Sequence, residues 1–383
     1  MEHFHIQVAE EVLEDLSYRL EHTKWPSCVE DTGWARGTDF AYMQSLVAYW
    51  RDRFDWRAQE AKLNCFSQFQ CKVDGINIHF IHERGKGPNP LPIILTHGWP
   101  DSYLRYLKLI PLLTDPASYG GSPEDSFDVI IPSLPGFGFS GYNENDSISN
   151  SKISEMWAKL MTQQLGYRKF VAGGGDVGSG VTRYLALHHP ELLYGIHLTD
   201  VGIIKELLNV KDPNSLTEME YQYHINAQKW IATEGGYMSI QSTKPQTLSY
   251  GLTDSPVGLA SWIVEKFRAW SDCGGKPRQR FSENELLTNI MIYWVTNTIG
   301  SSTSIYYENT HSLPPMSYIS VPTGLALFAA DIMQPPKEWA TRNLNITHWT
   351  EIPRGGHFTA MEEPELLADD IRAFCKPFRK SKK

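Results

Sequence analysis

An α/β fold, with a mostly parallel central sheet flanked by helices and interrupted by a helical cap, is predicted by three features of the 383-residue sequence. Short apolar runs at 93–96, 127–132, 169–172 and 193–201 alternate with helix-like stretches, the signature of a parallel sheet. From 209 to 315 that texture gives way to helical segments rich in Tyr and Trp. It resumes at 319–331 with Leu325-Ala326-Leu327-Phe328, which reads as a buried strand.

Composition narrows the function classes. With 41% apolar and 21% charged residues, the chain is that of a soluble globular protein able to bury a sizeable core. A net charge of −9 argues against nucleic acid as the main partner, since that binding depends on basic patches. The basic tail from Lys376 reads as a solvated end. Cys28, Cys65, Cys71, Cys273 and Cys375 are scattered, odd in number and without metal-type spacing, so they read as reduced thiols of a cytosolic protein. The first twenty residues lack the apolar core of a secretory signal, and no run is long enough to span a membrane.

Residues 1–88 do not begin like a doubly wound sheet. Ile6, Val8, Val12, Leu13, Leu16 and Leu20 predict an amphipathic helix closed at Thr23-Lys24-Trp25-Pro26, and a second helix is predicted over 39–51. The Trp-bearing segment between them reads as an arm anchored on the core. Residues 69–82 alternate as a hairpin turning at Asp74-Gly75, a strong turn pair. The buried run 93–96 leads into His97-Gly98-Trp99-Pro100, where Trp99-Pro100 is a candidate cis bond. The run 127–132 leads into Leu134-Pro135-Gly136-Phe137-Gly138-Phe139-Ser140. Helices over 221–233, 258–270 and 283–298 form the cap, which is expected over the carboxyl ends of the strands, where open α/β sheets bind ligands. A strand at 346–352 and an amphipathic helix at 364–374 close the chain. The domain reading is 1–88 for an N-terminal extension, 89–208 and 316–383 for the two parts of the core, and 209–315 for the cap.

The chain is organised around Gly173-Gly174-Gly175-Asp176-Val177-Gly178-Ser179-Gly180, which follows a strand and opens a helix over 181–187. This is the pattern of a nucleophile elbow, whose small residues let the backbone bend sharply and lift one side chain above the sheet. The same glycines fit the dinucleotide pattern G-x-G-x-x-G, and so does Gly136-Phe137-Gly138-Phe139-Ser140-Gly141. An acidic side chain inside the turn would repel a pyrophosphate, and the stretch lies mid-chain. The lifted residue is Asp176. A carboxylate attacking an ester or amide gives a mixed anhydride, whereas one displacing a leaving group from saturated carbon gives an ester that water can cleave. The residue type therefore points to alkyl transfer to Asp176 followed by hydrolysis.

Asp331 and His357 each fall just past a late strand and are expected at the same sheet edge as Asp176, in the chain order nucleophile, acid, histidine. His97-Gly98-Trp99-Pro100 sits where this arrangement places one oxyanion donor, the Trp99 N–H; the other is the Val177 N–H. With these motifs the chain resembles the epoxide hydrolases of the α/β-hydrolase superfamily, in the microsomal and juvenile-hormone branch with an N-terminal extension. Gly236-Tyr237-Met238-Ser239-Ile240-Gln241, Asp254-Ser255-Pro256-Val257-Gly258-Leu259 and Arg354-Gly355-Gly356-His357-Phe358 extend the resemblance over nearly the whole chain.

The resemblance implies an α/β-hydrolase fold, a small-molecule epoxide as substrate, no metal or cofactor, and a possible homodimer. It also implies two cap tyrosines donating to the epoxide oxygen, which fall on Tyr237 and on Tyr306, with the adjacent Tyr307 as the competing choice. Membrane-bound relatives carry a leading hydrophobic anchor, and its absence here makes the resemblance one to the soluble, microbial or fungal type. Haloalkane dehalogenases share the Asp nucleophile but resemble one another in having a Trp directly after it, where this chain has Val177. An epoxide-opening cyclase, with a substrate hydroxyl in place of water, is a variant of the same reading. A silent ligand-binding protein is opposed by the complete set of nucleophile, base, acid and donors.

Overall fold

The computed structural model describes every residue except Cys28, Glu30, Asp31, Glu144, Asp146, residues 202–209, Lys211 and residues 381–383. The described strands are β1 (Glu2–His3), β2 (Gln68–Val73), β3 (Ile76–Glu83), β4 (Leu91–Thr96), β5 (Phe127–Pro132), β6 (Phe170–Gly174), β7 (Leu193–Leu198), β8 (Ile319–Ala330) and β9 (Leu344–Gly356). They form one sheet in the order β1-β2-β3-β5-β4-β6-β7-β8-β9. The first three strands and β5 pair antiparallel, and every pair from β5 to β9 is parallel. Strands β4 and β5 are buried at every position, as an unbroken apolar run requires when both faces of a sheet are covered. The strand order reverses about β4, with β5 on one side and β6 on the other, so a crevice forms at the carboxyl ends of β4 and β6.

The extension holds helices α1 (Glu10–Glu21), α2 (Phe40–Asp52) and α3 (Trp56–Leu63). The helix expected from Ile6 starts only at Glu10. Residues 2 and 3 pair with β2, and the buried Ile6 and Val8 lie in extended chain, their N–H groups donating to Asn64 Oδ1 and Glu60 Oε1 at 2.8 Å each. A strand pairing and two side-chain acceptors from a helix region that periodicity did not reveal thus satisfy backbone groups that a longer helix would have paired internally. Core helices are α4 (Leu109–Thr114), α5 (Asn150–Lys159) and α6 (Val177–His188), the last starting four residues earlier than its apolar run suggests because the glycines join the helix.

The cap is built from α7 (Glu218–Glu234), α8 (Gly236–Thr243), α9 (Pro245–Asp254), α10 (Pro256–Trp270), α11 (Glu283–Thr296) and α12 (Ile299–His311). Helix α11 stops two residues short of the expected end, at Asn297 in the left-handed region with φ 54°. Helices α8, α9 and α12 are additional to the expected three and pack on one another. The core resumes with α13 (Lys337–Thr341), α14 (Thr359–Glu362) and α15 (Pro364–Lys380). The expected boundary between core and cap at 208 and 209 lies outside the described residues.

The extension reaches the cap as well as the core. Arg19 donates to the Asp254 carbonyl at 2.7 Å, Thr38 Oγ1 to the Ser261 carbonyl at 2.7 Å, and the Tyr49 hydroxyl to Asn284 Oδ1 at 3.1 Å.

Candidate active site

The site grows from the end of β6. Asp176 has φ 56° and ψ −125°, a conformation of positive φ that is strained for a residue with a side chain and that turns its carboxylate out of the sheet. Close packing enforces the turn. A Cβ on Gly178 would come within 1.9 Å of the Thr96 carbonyl oxygen at the end of β4, and one on Gly98 within 2.4 Å of the Asp176 Cβ. Only glycine fits between these strand ends.

Asp176 is held at both its backbone and its carboxylate. Its N–H donates to Asp200 Oδ2 at 2.6 Å, and the Trp99 N–H donates to Asp176 Oδ1 at 2.8 Å. The Trp99-Pro100 bond is cis, and the loop is held by the Gly98 N–H, which donates to Asp101 Oδ1 at 2.9 Å, and by Asp101, which pairs with the buried Arg105. His97 donates from Nδ1 to the Gly98 carbonyl and accepts at Nε2 from the Leu134 N–H, which ties this loop to the one after β5. Burial lowers the His97 pKa to about 4, so this imidazole is a neutral brace.

Asp331 follows β8 and His357 follows β9. His357 Nδ1 lies 2.8 Å from Asp331 Oδ1, and its Nε2 lies 3.5 Å from Asp176 Oδ2. The two ends of the imidazole thus face two carboxylates. Burial disfavours the imidazolium, but Asp331 and then Asp176 outweigh it and raise the His357 pKa to about 10. For Asp176 burial pushes the pKa up, while His357 and the Trp99 and Val177 amides push it down, and the balance lies below the usual carboxylate range. The carboxylate is ionised.

Above it stand two cap tyrosines. Tyr237, from α8, stacks on Trp99 with centroids 5.5 Å apart and planes 5° apart; Tyr306, from α12, meets Trp99 edge-on at 5.8 Å. Burial, and for both the Asp176 charge as well, keeps these phenols protonated well above their ordinary pKa. Asp176, His357, Asp331, Tyr237, Tyr306 and Val177 all line one cavity of ≈ 540 Å³, whose walls include Trp230, Met238 and Met333. The Trp99 ring lies fully buried behind Tyr237. Tyr307 points away, is 39% exposed and stacks on His311.

Sequence reasoning missed two carboxylates. Asp200, just past β7, lines the cavity, and burial followed by the nearby Asp331 raises its pKa to about 6. Its signal was present, since it stands near the end of the apolar run 193–201, as Asp331 stands at the end of 319–331. Glu362 accepts from the Asp272, Gly356 and Phe358 N–H groups at 2.8, 3.0 and 3.0 Å, so it clamps the backbone on both sides of His357. No spacing rule announces it. The described residues hold no cluster of His, Cys, Asp and Glu suited to a metal ion.

Known proteins share this architecture. Residues 1–106 match the family model described as the epoxide hydrolase N terminus, and residues 92–236 match that of the alpha/beta hydrolase fold. A Stigmatella aurantiaca protein whose name proposes an epoxide hydrolase is 44% identical, over 98% of this chain and 85% of its own. Epoxide hydrolase 1 of Oryctolagus cuniculus is 37% identical, over 97% of this chain and 88% of its own. The chain belongs to the epoxide hydrolases. The crystal structure of the juvenile hormone epoxide hydrolase of the silkworm Bombyx mori superposes with a TM-score of 0.85 at 28% identity, covering 100% of this chain and 95% of that one. As an epoxide hydrolase, the enzyme adds water to an epoxide to give a vicinal diol. Among the described residues no helix is long and apolar enough to cross a membrane.

Proposed function

We propose that Asp176 is the nucleophile of this epoxide hydrolase and that turnover passes through an aspartyl ester. Asp176 Oδ2 attacks an epoxide carbon, the C–O bond breaks, and the oxygen takes the electron pair while Tyr237 and Tyr306 donate to it. A phenol, with an unperturbed pKa of about 10, remains a donor at neutral pH. In the ester the Asp176 charge is gone, so His357 loses one of the two carboxylates that hold its proton, releases that proton to solvent and becomes a neutral imidazole able to act as a base. Oriented by Asp331, it draws a proton from water that attacks the Asp176 carbonyl carbon. The Trp99 and Val177 amides then hold the oxyanion, a donor of this kind being worth about 100–1000-fold in rate. Supporting this reading above all is one arrangement: Asp176 Oδ1 sits 2.8 Å from the Trp99 amide while Oδ2 faces a histidine paired with Asp331.

In a single turnover in isotope-labelled water with enzyme in excess, the label should enter Asp176 and be absent from the first diol released. Label going straight into that diol would mean direct attack by water. Asp176→Ala should remain folded and form no diol, and diol formation at near wild-type rate would remove Asp176 from the mechanism. The free thiols of Cys65, Cys71, Cys273 and Cys375 support a cytoplasmic location. A homodimer is part of the same proposal, and sedimentation at twice the mass of one chain is its test.

A further inference from the structure

Lysine is rarely buried without a fixed partner, yet Lys266 on α10 is 5% exposed. Its ammonium pairs with Glu265 Oε2 at 2.5 Å. It also faces two aromatic rings: Nζ lies 4.7 Å from the centroid of Tyr237 and 5.6 Å from that of Trp270. An ammonium held against a ring face and away from water interacts with it more strongly than one at the surface. The ring it faces most closely is the one proposed to donate to the epoxide.

We propose that Lys266 is a positioning residue for ring opening, its ammonium lying on the Tyr237 ring so that the phenol yields its proton more readily to the epoxide oxygen. This rests on the reading of Tyr237 as a donor. As Asp176 forms its bond to carbon, the breaking C–O bond leaves its electron pair on oxygen, and the phenolic proton moves onto that oxygen. The negative charge left on Tyr237 spreads into the ring beneath Nζ. Once the Asp176 charge is spent in the ester, His357 releases the proton it held, and that proton restores the phenol through solvent; the neutral imidazole then takes a proton from the water that attacks the ester and is again the cation it was at rest. The cation therefore meets more negative charge in the transition state than in the ground state, which is the condition for acceleration. Burial, Asp176, Glu265 and Glu234 all oppose charge on this phenol. The hydrogen bond with Tyr306 works the other way, and Lys266 adds a cation on the face of the ring.

Trp270 offers a competing route. Its ring stands edge-on to His357 at 5.4 Å and its carbonyl accepts the His357 N–H at 2.8 Å, so a Lys266 acting through Trp270 would be felt in ester hydrolysis instead. The experiment measures, by rapid mixing, the burst of alkyl-enzyme formation and its subsequent decay in Lys266→Met, Lys266→Gln, Lys266→Arg, Tyr237→Phe and the double variant Lys266→Met/Tyr237→Phe. The two neutral variants should slow the burst about 10- to 30-fold, the effect of losing a desolvated cation over a ring. They should leave decay unchanged, and Lys266→Arg should retain most of the burst rate. In the Tyr237→Phe background, Lys266→Met should slow the burst no further. Equal losses in both backgrounds, a loss confined to decay, or no loss at all would each overturn the proposal. If Tyr237→Phe itself forms the ester at wild-type rate, the donor reading falls first; if Tyr237→Phe is slow and the two losses multiply, that reading stands and Lys266 has no part in it.

Discussion

In the mechanism proposed, His357 carries two roles that its surroundings keep apart in time. In the resting enzyme it lies between Asp176 and Asp331, and its raised pKa makes it a cation that keeps Asp176 ionised and the site closed on itself. After ester formation only Asp331 faces it, and the proton it held can leave. His357→Gln should therefore still form the ester and fail to hydrolyse it. Mass spectrometry of the peptide containing Asp176 should find a substrate-sized adduct, and its absence at saturating substrate would contradict this division of labour. The same shift predicts a pH dependence of stability. A folded pKa raised to about 10 from an unfolded value near ~6.5 means that the imidazolium stabilises the fold fully below the lower value and not above the higher. The stability gap between wild type and His357→Gln, read from denaturant midpoints, should shrink as pH rises through that window. A gap constant with pH would argue against the paired cation. Asp176, Asp331 and His357 were legible because each ends a strand. Asp200 ends one too, but only the fold reveals that it turns back to receive the Asp176 N–H. Glu362 was invisible because its partners are backbone amides from α14's approach and from Asp272, about ninety residues away in sequence.

At the scale of elements, strands were easier to read than cap helices, and the reason lies in what each buries. A strand covered on both faces shows as an apolar run. Helix α12 instead carries Ser301-Ser302-Thr303-Ser304 in its first two turns, residues that compete with helical backbone bonding and weaken any sequence prediction. Here they bond within the helix: Ser302 Oγ donates to the Ile299 carbonyl, and Thr303 Oγ1 and Ser304 Oγ to that of Gly300. The helix that results sets the register of its tyrosines, sending Tyr306 into the cavity with Asn309 and Thr310 and leaving Tyr307 outside. If the two cavity tyrosines share the developing alkoxide, removing one hydroxyl leaves a second donor. Tyr237→Phe and Tyr306→Phe should each slow ester formation about 10–1000-fold, and the double variant should nearly abolish it. Tyr307→Phe should behave as wild type. A crippled Tyr307→Phe beside an unaffected Tyr306→Phe would move the second donor by one residue, and burst rates untouched in all three would remove the cap phenols from the chemistry.

For the whole molecule the question is whether extension, cap and core are three units or one. The extension adds β1 to β2, and so to the sheet, and bonds to α9, α10 and α11 through Arg19, Thr38 and Tyr49. Its buried Leu16, Leu20, Leu46, Val47 and Trp50 belong to the same apolar cluster as the core strands and the cap helices. Sequence texture separated these regions because periodicity is a local property, whereas burial joins them across hundreds of residues. Such continuity implies a single cooperative unfolding transition, and each unit carries its own reporter. Cys71 on β2, Cys273 just past α10 and Cys375 on α15 are all buried with free thiols. In a urea series, the three should become reactive to an alkylating reagent at one common midpoint. Trp50→Ala, which empties a site only 3% exposed, should cost about 3–5 kcal/mol and move all three midpoints down together, although the substitution lies in the extension alone. Were Cys71 to react well before Cys273 and Cys375, with catalytic activity intact, the extension would be an independently stable layer and could not be what holds the cap over Asp176.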